Sequence, residues 1–142
     1  MKTVLCAIDI NRPDDDHKIL RRAAQLAELD GAKLDVITVM PDFGSSMVAA
    51  YFSDHKADTM RQHAKELVEK ACIEALGAEA NKSIRHIVVT GNVYEEVLHC
   101  AKADGADLIV IGAHRPDLKD YLLGPNAARV VRHSECSVYV VR

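Results

Sequence analysis

Apolar and polar residues follow two different periods along this chain, and the switches between them lay out its elements. Thr3 begins TVLCAIDI, a short run with β-branched residues that is bounded by the turn-forming NRPDDD. Unbroken apolar character suits a strand covered on both faces, so a buried parallel strand is predicted. Pro13 then presets φ for a first helical position, and Asp14, Asp15 and Asp16 put negative charge at a helix start. Ile19, Leu20, Ala23 and Ala27 give the stripe of that helix, and Gly31 its stop. Leu34 to Met40 is a second strand that Pro41 ends before a loop opening with Phe43. A long helix follows, with Ala57, Met60, Ala64, Leu67, Val68, Ala71 and Ala75 as its face and Gly77 as its end. After the polar residues Asn81, Lys82 and Ser83, the run IRHIVVTG is a third strand. Val93, Val97, Leu98 and Ala101 mark a shorter helix ending near Gly105, and ADLIVIG is the fourth strand. A helix containing Ala127, Val130 and Val131 precedes a fifth strand within Glu135 to Arg142.

Asp30 to Leu34 reads DGAKL and Asp104 to Leu108 reads DGADL, each between a helical stripe and an apolar strand. The echo is either a trace of an internal repeat or a common αβ turn with glycine in a left-handed conformation. Alternating β and α units, with no low-complexity linker between them, predict one domain over residues 1–142. Its fold class is α/β: an open five-stranded parallel sheet, helices on both faces, right-handed crossovers. Ligands of such sheets lie beyond the carboxyl ends of the strands, where the strand order reverses. In the order 3-2-1-4-5 the reversal falls between the first and fourth strands, which brings Asp9 beside Gly112, with Val39 and Met40 closing the second strand.

Composition narrows the partners. The chain has 142 residues, 49% of them hydrophobic, enough for one packed core. Its net charge of −3 is spread along the chain, and two Phe with no Trp leave little for base stacking, so nucleic acid is not an expected partner. MKTVLCAIDI carries one Lys and a short apolar run, unlike a signal peptide or a membrane span, and no membrane insertion is expected. The chain is expected in the cytoplasm, where Cys6, Cys72, Cys100 and Cys136, widely spaced and without a C-x-x-C pair, read as reduced thiols. Familiar phosphate-loop, dinucleotide, zinc-protease and nucleophile-elbow motifs are missing, and His55 and His63 are too far apart for a helical zinc pair.

The richest stretch runs from Leu108 to Val131. An apolar run ends at Gly112, a loop carries His114, Arg115 and Lys119, and a helix opens at Gly124. Strand, basic loop and helix N-terminus together make a place for an anion, because the first helical N–H groups lack internal partners and carry the positive end of the dipole. A phosphate group is the expected ligand. Asp117 and Asp120 in the same loop oppose a bare phosphate unless Mg²⁺ screens them.

These residues resemble the universal stress protein family over essentially the whole chain. AIDI around Asp9 is similar to the family's first-strand signature, and Gly112 to Arg142 resembles its C-terminal third in a short single-domain bacterial subgroup. The resemblance implies a Rossmann-like universal stress protein fold and a homodimer paired through the C-terminal strand, an open β edge in its own right. It also implies ATP or a related adenine nucleotide as cofactor, alone or with Mg²⁺, and an unknown regulatory protein partner. The cofactor-binding set it carries over is Ala7, Asp9, Val39, Met40, Gly112, His114, Arg115, Gly124, Pro125, Asn126 and Ala127; no residue is assigned as catalytic or as a metal ligand.

Members that bind ATP show G-x2-G-x9-G followed by Ser or Thr. Here Gly112 matches the first glycine and Gly124 the last, but Arg115 stands for the middle one, the second spacer is eight residues, and Pro125 replaces the hydroxyl residue. Pro125 removes an O–H and an N–H from the phosphate end, each charge-assisted bond contributing about 1.5–3 kcal/mol. It is also simply favoured at a first helical position. Asn126 and Ala127 keep their N–H groups. Arg115 either grips phosphate with its planar fork or fills the site. Asp9 accepts from ribose hydroxyls or approaches a metal bound to phosphates, its alternative being a helix cap; Val39 offers backbone to the adenine edge or is plain strand core. His114 donates to a phosphate or ribose oxygen or is bonded locally, Lys119 is a solvated charge, and Gly91 with Asn92 reads as a turn. The reading that follows is a nucleotide-binding regulatory module of the stress response. Its alternatives are a nucleotide-free protein acting by association and a slow ATP-hydrolysing enzyme, for which no general base is evident.

Overall fold

Every strand of this chain is fed by an apolar run, and a computed structural model describing residues 1–41, 54–113 and 124–142 shows how both faces of the resulting sheet are covered. The elements are β1 (Thr3–Ile8), α1 (Pro13–Asp30), β2 (Lys33–Pro41), α2 (Asp54–Leu76), α3 (Ala78–Asn81), β3 (Arg85–Gly91), α4 (Val93–Asp104), β4 (Leu108–Gly112), α5 (Pro125–His133) and β5 (Ser137–Val141). They form one parallel sheet in the order β3-β2-β1-β4-β5, as the alternation predicts. β1 lies at its centre, Cys6 standing opposite Val36 on one side and Val110 on the other.

Side chains of a strand alternate between faces, so the continuous run of β1 splits into two sets. Val4, Cys6 and Ile8 pack with Ile19, Leu20 and Ala23 of α1 and with Val68, Ala71 and Cys72 of α2. Leu5 and Ala7 pack on the opposite face with Val97 and Ala101 of α4 and with Ala127 and Val130 of α5. The four cysteines are free thiols, Cys6 and Cys72 buried within the first of these layers.

The DGAKL and DGADL echoes are one device used twice. Gly31 and Gly105 adopt φ of +62° and +64°, and the following residue's N–H closes each helix: Ala32 donates to the Ala27 carbonyl and Ala106 to that of Ala101, both at 2.8 Å. A side chain at either glycine meets no neighbour but must enter the left-handed region. Gly31→Ala is therefore expected to cost about 1 kcal/mol, visible as a lower urea midpoint with unchanged m value.

Two details depart from the pattern. A short helix, α3, lies between Gly77 and β3 where the sequence suggested only a polar connection, and it buries Asn81, whose Oδ1 is 2.7 Å from Nε2 of His86. Four residues are too few to show a helical stripe. Val131, on the same helix as buried Val130, is 46% exposed, because α5 turns only Ala127 and Val130 inward. The side chains of His55 and Ala57, the loop at Phe43, and His114, Arg115, Asp117, Lys119 and Asp120 lie outside the described residues.

Candidate functional site

The carboxyl end of β1 is tied down from two directions. The Thr38 hydroxyl, buried on β2, donates to the Ile8 carbonyl at 3.0 Å, and the Asp9 N–H donates to Oδ1 of Asp16 on α1 at 3.0 Å. Asp9 itself closes the turn into α1: its Oδ1 accepts the Asn11 N–H at 3.0 Å, its carbonyl accepts the Arg12 N–H at 2.9 Å, and its Oδ2 lies 3.8 Å from Nε of Arg12. It is not a helix cap, since Arg12 holds the N-cap position of α1 without any side-chain cap bond. The Asp9 side chain remains 57% exposed.

The other wall is built at the end of β4. Ala113 donates its N–H to the Val141 carbonyl at 2.8 Å and accepts the Gly124 N–H at 2.9 Å, which fixes the start of α5 beside the ends of β4 and β5. Gly112 makes room on the far side: a Cβ there would stand 2.6 Å from Cδ1 of Ile19. The need for glycine thus has a packing cause within this chain, the close approach of α1 to β4.

The two helix starts differ in charge. α1 carries Asp14, Asp15 and Asp16 in its first turn, whereas α5 has Gly124 as N-cap, no side-chain cap bond and no acid in its first turn. The positive end of α5 is therefore left uncompensated by its own residues.

Between these walls, where the strand order reverses, a cavity of about 370 Å³ opens at the carboxyl edge of the sheet. Ala7, Asp9, Val39, Gly112, Gly124, Pro125, Asn126 and Ala127 line it, so eight of the sequence-predicted residues come together. Met40, half-buried at the end of β2, is not among its lining residues, and His114 and Arg115 are outside the described residues. On the α4 and α5 side the wall is apolar, with Ile37, Val93 and Val97 beside Ala7 and Val39. Asp15, Asp16, Arg12 and Lys18 of the α1 start and Arg142 after β5 bring charge to the opposite side, and Lys18 Nζ donates to the Arg142 carbonyl.

Sequence reasoning missed this second, charged wall. A right-handed crossover lowers the first turns of α1 beside the strand end, so Arg12, Asp15, Asp16 and Ile19, three to four apart, share the face turned to the cavity. That spacing was a usable signal; Arg142 had none before the strand order was known. Burial pushes the Asp16 carboxyl up to about 7, helped by the nearby Asp9 and Asp15 carboxylates and opposed by the hydrogen bond from the Asp9 backbone. Among the described residues no group of three or more His, Cys, Asp and Glu side chains is placed to hold a metal ion, and no helix is long and apolar enough to cross a membrane.

Fold and cavity define a class: a doubly wound parallel α/β protein whose crevice, at the strand-order reversal, meets a helix N-terminus with no side-chain cap among the described residues. The chain belongs to the universal stress protein family, whose sequence pattern matches residues 1–142. Universal stress protein G of Escherichia coli O157:H7 is 30% identical over 142 residues, 99% of each chain. The fold is shared with universal stress protein UspA from Lactobacillus plantarum, with a TM-score of 0.77, 21% identity, and coverage of 99% of this chain and 97% of that one. Two further universal stress protein structures share it. One is in complex with cAMP, with a TM-score of 0.66 and 23% identity over 99% of this chain and 96% of that one. The other, from Archaeoglobus fulgidus, is in complex with dAMP, with a TM-score of 0.63 and 20% identity over 100% and 98%. At these identities the structures speak for the fold.

Proposed function

We propose that this chain binds an adenine nucleotide, ATP or a relative of it, in the crevice between β1, β4 and α5, and that occupancy is the signal by which it acts as a regulatory module of the stress response. The observation carrying this reading is the α5 N-terminus, free of acid and side-chain cap, opening onto a cavity with one apolar wall. That wall, built from Ala7, Ile37, Val39 and Val97, suits a flat base. The exposed Asp9 carboxylate accepts from ribose hydroxyls. The N–H groups of Asn126 and Ala127, second and third in α5, face phosphate, while Pro125 has none to give. His114 and Arg115 are carried into the proposal as phosphate contacts by the family resemblance alone. The cAMP and dAMP complexes of two structural neighbours support an adenine nucleotide as the ligand class.

The protein works in the cytoplasm as a homodimer through β5, an edge strand whose outer side is open among the described residues. Binding rather than turnover is the task proposed for the crevice.

Native mass spectrometry with and without Mg·ATP, cAMP and dAMP tests the reading. An added nucleotide mass, with intact nucleotide released on denaturation, is expected. No bound mass at millimolar nucleotide overturns it in favour of a nucleotide-free protein, and release of ADP alone points to hydrolysis.

A further inference from the structure

Asp16 is the most deeply placed charged side chain of the crevice. It is 1% exposed on the first turn of α1, yet it lines the same cavity as Asn126 and Ala127 of α5. Its Oδ1 accepts the Asp9 N–H, and its Oδ2 has no hydrogen-bond partner among the described residues. Nothing in nucleotide binding as described above uses it.

The groups around it do not supply a countercharge on the buried side. Cys6 of β1 and Cys72 of α2 face it from the core, both kept as neutral thiols by burial. Asp9 beyond β1 and Asp15 on its own helix add like charge, while Arg12, Lys18 and Arg142 bring positive charge to the cavity itself. An anion entering the cavity adds a further negative charge, and like charges repel more strongly in so confined a space than in open water. The carboxyl relieves that repulsion by taking a proton from solvent, and its orphan oxygen is not bonded to anything the proton would displace.

We propose that Asp16 sets the charge specificity of the crevice: an anionic nucleotide binds with net proton uptake by this carboxyl, so anions are held more tightly in mildly acidic than in alkaline solution. The inference rests on the nucleotide reading of the same site. Linkage makes it reciprocal, because whatever factor the anion adds to proton affinity, the proton adds to anion affinity. Asp16 acts here as a positioning residue, through charge and through the Asp9 backbone, without touching ligand. Burial, together with the nearby Asp9 and Asp15 carboxylates, already brings its carboxyl to about 7, within reach of small changes in charge nearby.

Calorimetric titration with cAMP at pH 6.0 and pH 8.5 tests it, because a phosphodiester keeps one negative charge over that range and its own titration does not enter. If the bound anion raises the carboxyl by one further pH unit, affinity falls about sevenfold from pH 6.0 to pH 8.5. Adenosine, uncharged, is expected to bind equally at both. Asp16→Asn is expected to hold cAMP at both pH values with the affinity the natural chain shows at pH 6.0. Repeating the natural chain's titration near pH 7.5 in buffers of different ionisation enthalpy reads the proton uptake directly, about half a proton for the same shift, so the test stands even if the variant folds poorly. Binding of cAMP without proton uptake, a pH slope shared by adenosine, or a slope unchanged in Asp16→Asn overturns the proposal and leaves the nucleotide reading intact. Failure of cAMP and ATP to bind at either pH overturns both.

Discussion

In the absence of any ligand, Asp16→Asn is expected to change stability little near pH 4 and to stabilise the protein by on the order of 4 kcal/mol above pH 7.5. The sign follows from burial. A carboxyl raised to about 7 in the folded chain and ordinary in the unfolded one holds its proton more tightly when folded. Its contribution to stability is then fully present below the unfolded value near 4 and is lost as pH rises to about 7, by roughly 1.4 kcal/mol per pH unit. Above that the folded protein carries a buried carboxylate, while asparagine keeps an oxygen to accept the Asp9 N–H and never ionises. Asp35, pushed up to about 6 by burial and by its neighbour Asp104, imposes a similar slope on both proteins and cancels in the difference. Urea unfolding of both proteins from pH 4 to pH 8 measures it. Parallel profiles would show that Asp16 is not held protonated by the fold.

Pro125→Ser is expected to tighten binding of ATP by about tenfold or more. The change returns an N–H and a hydroxyl to the first position of α5, and each bond to a charged phosphate contributes about 1.5–3 kcal/mol. Gly124 has extended φ and ψ of −61° and 155° and no side-chain cap bond, so serine at the next position meets no competing cap there. Losing the preset φ of proline costs a fraction of that gain. Equilibrium titration of both proteins with Mg·ATP distinguishes the outcomes, and equal affinities would mean that phosphate does not meet the start of α5.

Much of the frame was legible because its signals are local and repeated. The runs of β1 and β4 are nearly all apolar, β2 is interrupted only by Lys33, Asp35 and Thr38, the stripe from Ile19 to Ala27 has one period, and Gly31 and Gly105 stop helices in the same conformation. The candidate site was legible only where it follows chain order. Asp9, Gly112 and Gly124 are ends of elements, and a strand order fixes where ends go. Of the wall of Arg12, Asp16, Lys18 and Arg142 only the helical spacing of Arg12 and Asp16 was legible, because its place in the site depends on how far α1 leans over the sheet, a distance that Ile19 sets by packing against Gly112. Gly112 carried two messages in one letter: the sequence offered the phosphate, and the structure adds the isoleucine.

The paired bonds at Ala113 have a bearing on how this family varies. Ala113 grips Val141 with its N–H while its carbonyl holds Gly124, so Ala113 and Gly124 meet at a fixed gate of the frame. A segment closed at such a gate can gain or lose a residue at little cost, since closure entropy changes only slowly with length. The eight-residue spacer between Arg115 and Gly124 is then a change of length that closure between Ala113 and Gly124 tolerates at little cost.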